Sequence, residues 1–227
     1  MRNKILMALG AGSAILVTFV LYRIFFVLGD EANQGAIWRI FEFHFPAGIL
    51  GLMGFVVATV FSILYLVRGD LRMDAIAAAM IEVALVFAAI VLVTGSIWAR
   101  IIWGVWWAWD ARLTSMLICW LIFAGYLMLR RAIQEPAQRA RLSAVVSIFG
   151  GIDAIIVYKS IEWYRTLHPG PVLTIRGGGG MPQVWQDTAY WNLLAMALLA
   201  AMLVMVRMRQ EGYAREIDSL RRAAHSY

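Results

Sequence analysis

Residues 75–98 read AIAAAMIEVALVFAAIVLVTGSIW, twenty-four positions with one charge, Glu82. At about 1.5 Å of rise per residue, about 20 apolar residues in a helix cross the hydrocarbon core of a bilayer. This run is long enough. Five further blocks match it, at 5–28, 44–67, 113–129, 142–159 and 189–206, the 142–159 block being interrupted by Gly150, Gly151 and Asp153. Over all 227 residues, 62% are hydrophobic and 15% charged, with a mean hydropathy of +0.74. Soluble domains carry about 25% charged residues. Alternating strand patterning is absent, which leaves helices to satisfy the backbone in lipid. The expectation is an all-α integral membrane protein of six transmembrane helices. It forms a single domain over 1–227 with a charged tail at 207–227.

Six spans return both termini to one side. The N-terminus, the 68–74 turn, the 130–141 loop and the tail from Arg207 hold thirteen Lys and Arg. The other loops and helix ends hold seven: Arg23, Arg39, Arg100, Arg112, Lys159, Arg165 and Arg176. The positive-inside rule makes the thirteen-residue side cytoplasmic. The net charge of +6 then needs no nucleic acid to explain it. The first block, behind Arg2 and Lys4, reads as an uncleaved anchor because its apolar run is too long for a signal peptide. A lone Cys119 excludes an internal disulfide and shows no metal-binding spacing.

Between the third and fourth blocks lies WGVWWAWDARLT, residues 103–114. Interface tryptophans normally form belts on both membrane faces. Here Trp38, Trp98, Trp103, Trp106, Trp107, Trp109, Trp163, Trp185 and Trp191 all fall on the outer side, and Trp120 in the outer half of the fourth span. Either this is a heavily anchored loop or it is built for a flat aromatic ligand. If 98–113 is helical, Trp98, Ile102, Trp106, Trp109 and Leu113 share one face, with Trp103, Trp107, Asp110 and Thr114 beside it. Asp110 also suits the cap of a helix opening at Ala111, so capping and a site role both stand.

Two of the three histidines lie on the same side. His44 sits in FEFHFPAG, with Pro46 suited to the first turn of a helix, and His168 sits in EWYRTLHPGP; His225 is in the tail. A single outer histidine is more often hydrogen-bonded structure than an iron ligand, but two beside a tryptophan roof admit axial ligation of a heme. Arg100, Arg112, Arg165 and Arg176 could meet its carboxylates, or lipid headgroups.

These residues resemble the heme-handling (WWD-domain) family of cytochrome c maturation. VTGSIWARIIWGVWWAWDARLTS (93–115) is similar to the family's tryptophan-rich segment, FEFHFPAG to its first histidine motif and EWYRTLHPG to its second. The resemblance covers about 39–191. It implies a protein of the inner membrane that holds heme b transiently at its periplasmic face, with His44 and His168 as axial ligands. Trp98, Trp103, Trp106, Trp107, Trp109, Asp110 and Arg112 would line the site, on an outer-face amphipathic segment at 98–114. Heme is then presented to the chaperone CcmE, with the ABC transporter subunits CcmA and CcmB and the small protein CcmD as partners beside membrane lipid. Such a protein is a heme chaperone and not an enzyme, and the chain has no Walker loop or metalloprotease helix. The chain departs from the family pattern at Asp153, Ala154 and Val157 and at GGGG 177–180. A heme-translocating transporter, with Glu82, Thr94 and Ser96 along a path, and a quinone-binding oxidoreductase subunit are the other readings. Glu82 and Asp153 require partners within lipid.

Overall fold

The computed structural model describes residues 2–170 and 181–224. Six helices follow in order: α1 Arg2–Tyr22, α2 Phe41–Arg68, α3 Leu71–Ile102, α4 Ala111–Ala132, α5 Pro136–Trp163 and α6 Gln183–Ala224. All six contain a stretch long and apolar enough to cross a membrane. A π-helical turn, Arg23–Val27, extends α1, and a 3₁₀ turn, Ala36–Ile40, leads into α2. Arg176, GGGG 177–180 and His225 lie outside the described residues.

Local chemistry sets the helix ends. Gly69, at φ +68°, stops α2, and Asp70 then caps α3 by accepting from Arg72 N at 2.8 Å. Glu135 caps α5, where Pro136 takes the first position and loses no hydrogen bond. Pro46 lies a turn deeper in α2 than its motif suggests, because the helix already begins at Phe41. Lacking an N–H, Pro46 leaves the Glu42 carbonyl without its usual helical donor. Asn192 Nδ2 on α6 donates to that carbonyl instead.

Helices α2 to α5 form the core, and α1 packs along α6, which leans on α2 and α3. At its centre Phe55 stacks on Phe123, ring centres 4.0 Å apart. Lipid offers little hydrophobic drive between helices, so small residues that let backbones approach take over. A Cβ on Gly54 would lie 2.7 Å from Ala84 Cβ, and one on Gly150 would lie 2.7 Å from the Phe123 ring. The glycine that weakens the apolar run of α5 is therefore where α5 receives α4.

The basic end is tied by ion pairs. Arg130 grips Asp74 through both oxygens, at 2.5 and 3.1 Å, and Arg215 of α6 adds a contact at 3.2 Å. Glu82 of α3 finds its partner in Arg207 of α6. Asp153 lies against Cys119 between α4 and α5, with its Oδ2 unpartnered among the described residues.

One expectation is corrected. The segment 98–113 is not one helix. Trp103 closes α3 through its N–H to Ala99 O, Gly104 turns at φ +76°, and the chain runs irregularly to Asp110. The left-handed turn that glycine permits breaks the helical face the tryptophan spacing would otherwise form.

Candidate paired-histidine site

His44 lies in the first turn of α2, and its Nδ1 is 2.9 Å from Thr94 Oγ1 on α3. Thr94 spends its own hydrogen on Ile90 O, at 2.6 Å. Towards the histidine it can only accept, so His44 Nδ1 carries the proton and Nε2 keeps its lone pair. Gly95 makes room: a Cβ there would lie 3.1 Å from His44 Cε1. Trp98 flanks the ring edge-on at 5.9 Å. That indole is itself held, by Nε1 donating to Gln34 Oε1 at 2.8 Å and by an edge contact with Trp38.

His168 follows α5 in a loop. Its Nδ1 is 2.9 Å from Pro169 O. A carbonyl only accepts, so here too Nδ1 carries the proton and Nε2 is bare. Burial pushes His168 below the ordinary histidine range, although its bond to Pro169 pulls the other way. The two imidazole centres lie 6.4 Å apart, planes inclined by 32°.

The Asp110 carboxylate divides its work. Oδ1 caps α4 by accepting from Leu113 N at 2.9 Å. Oδ2 accepts from Thr166 Oγ1 at 2.6 Å and from Leu167 N at 3.0 Å, in the loop that carries His168. Burial alone would raise this carboxyl, but those three hydrogen bonds and the neighbouring His168 outweigh it and hold the group below the usual carboxylate range.

The other expected residues divide. Trp98 joins the histidines; Trp103 and Trp107 are half-buried; Trp106 and Trp109 are 61% and 79% exposed. Trp107 Nε1 is a buried donor without a partner among the described residues. Arg112 donates to Val157 O at 2.7 Å, and its charge reaches both histidines. Arg100 is bound to the Gly104 carbonyl. The polar path of the transporter reading is otherwise occupied: Thr94 and Ser96 bond their own helix, and Glu82 pairs with Arg207. Sequence reading passed over Thr94 as a histidine partner and Thr166 altogether. The signal for the first is a Thr-Gly pair inside an apolar span.

Fold and site together define a multi-pass membrane protein with two tautomerically matched imidazoles at its tryptophan-rich end. The family model described as "CcmC: Heme exporter protein C" matches residues 1–223. Heme exporter protein C of Bradyrhizobium diazoefficiens is 33% identical over 217 residues, covering 96% of this chain and 82% of that one. Those of Paracoccus denitrificans and Escherichia coli K12 are each 32% identical, over 86% and 79% of this chain and 81% and 72% of their own. The chain belongs to the heme exporter protein C (CcmC) family. Membership supports a role in heme export for cytochrome c maturation.

Proposed function

We propose that the protein holds heme b between His44 and His168 at the periplasmic face of the inner membrane, both termini being cytoplasmic, and presents it to CcmE. It works as a heme chaperone, not an enzyme, beside CcmA, CcmB and CcmD. The heme is cargo. The apposed imidazoles, each with Nδ1 occupied and Nε2 bare, carry this reading. A first-row metal accepts an imidazole nitrogen at about 2 Å, and the ring centre lies roughly 1 Å behind it, so two trans imidazoles sit about 6 Å apart. The spacing of 6.4 Å fits.

Around the metal, Trp98, Trp103 and Trp107 supply indole surface, and Trp106 and Trp109 extend it to the exposed side. The Trp107 N–H, unpartnered among the described residues, and the Arg112 guanidinium suit the carboxylates of such a ligand. Asp110 serves the site through the His168 loop.

The test is a visible spectrum of purified protein, as isolated and after dithionite. The wild type should show a six-coordinate, bis-imidazole signature, lost in H44A and in H168A. If either alanine variant keeps that signature in full, the ligand assignment is wrong. Heme filling in membranes that lack the ATPase separates a chaperone, which still loads, from a transporter in its own right. A preparation without a Soret band but with bound quinone would favour an oxidoreductase subunit.

A further inference from the structure

His44 and His168 are held very differently. His44 belongs to a long helix, and both its supports, Thr94 and Gly95, belong to another. His168 belongs to the loop after Trp163, whose Trp163, Tyr164 and Leu167 are each more than half exposed. Within 164–170, Tyr164 N bonds back to Ser160 O, and His168 bonds to Thr166 and to Pro169. Among the described residues, apart from that bond back to its own helix α5, the hydrogen bonds that tie this stretch to another element all end on one atom, Asp110 Oδ2. The chain of contacts is continuous: Asp110 accepts from Thr166 Oγ1, and Thr166 Oγ1 accepts from His168 N at 3.1 Å.

We propose that Asp110 is a latch, a positioning residue that keeps His168 opposite His44 and makes the His168 side the one that opens when heme is handed on. The inference rests on the ligand assignment above. Charge-assisted hydrogen bonds to a carboxylate are about twice as strong as neutral ones. A single oxygen with two such bonds can therefore hold a loop that little side-chain packing secures. The same residue caps α4 through its other oxygen, so the latch is anchored to a rigid element. Opening it frees one imidazole and leaves the other in place.

The test uses heme-loaded full-length protein in nanodiscs. D110S retains an oxygen able to cap α4 but is too short to reach Thr166 and Leu167. Its spectrum should move from six-coordinate low-spin toward five-coordinate high-spin, and millimolar free imidazole should restore it. Heme loss to excess apomyoglobin should rise by at least about tenfold. T166V should shift in the same direction to a smaller extent, and T166S should behave as wild type. H168A/D110S should be no worse than H168A. A D110S protein with wild-type spectrum and heme-loss rate overturns the latch, as does loss of heme that imidazole cannot restore. Where D110S does not fold, T166V carries the test: a wild-type spectrum and rate there overturns it. If H168A itself stays low-spin, the ligand assignment fails; if H168A changes while D110S and T166V do not, only the latch fails.

Discussion

The imidazoles of His44 and His168 lie 6.4 Å apart, although 124 positions separate them in the chain. Each is set in the same tautomer by a different device, a threonine hydroxyl on a neighbouring helix for one and a backbone carbonyl in its own loop for the other.

Removing the Thr94 hydroxyl should loosen the first ligand. T94V takes away the acceptor of His44 Nδ1–H, and loss of such an outer partner typically costs about 10–100-fold in metal affinity. T94S should retain wild-type affinity. G95V should act in the same sense by pushing the ring aside, since even a Cβ at 95 lies 3.1 Å from His44 Cε1. Heme titration of the purified variants measures both.

Trp107 separates ligand binding from folding. Its Nε1–H is buried without a partner among the described residues, so W107F removes an unsatisfied donor and keeps most of the ring. Heme-free W107F should unfold at a temperature no lower than the wild type. Its heme affinity should fall by about 1–3 kcal/mol if that donor meets a ligand carboxylate. A thermal melt and a heme titration on the same sample read the two effects separately.

Acid should spare the Asp110 contacts until well below neutrality. Its carboxyl is depressed in the folded protein, so its stabilisation is complete above the unfolded-state value of about 3.9 and is lost as pH falls through the lower folded value. The stability difference between H168A and H168A/D110N, where no neighbouring imidazole titrates, should stay constant from pH 8 to about pH 5 and shrink only below about pH 4. Denaturation midpoints across that range, taken on heme-free protein, provide the check.

At the opposite end, Asp74 is 4% exposed and paired with Arg130 and Arg215. The single variant R130M leaves one partner, and the R130M/R215M double variant strands a buried carboxylate. The double variant should lose about 3–5 kcal/mol and the single one clearly less. D74N added to the double variant should recover part of the loss. Thermal melts in one detergent compare the series.

Six apolar runs, the crowding of tryptophan at one end and the two histidine motifs are all legible in the sequence. Hydropathy is a local property, and a run of about 20 apolar residues has few other structures open to it in lipid. The capping role of Asp110 is legible for the same reason, since a cap acts within one turn. Tertiary structure alone decided the rest. Whether WGVWWAWD continued α3 depended on Gly104 taking a left-handed turn, which glycine permits but does not require. Glu82 could be seen to need a partner, but only the packing of α6 on α3 brings Arg207 to it. The second oxygen of Asp110, the hydroxyl of Thr94 and the apposition of two distant imidazoles are relations between elements far apart in the chain. Periodicity and spacing describe what one segment can form; which atoms then meet is set by how close glycine and alanine let the helices come.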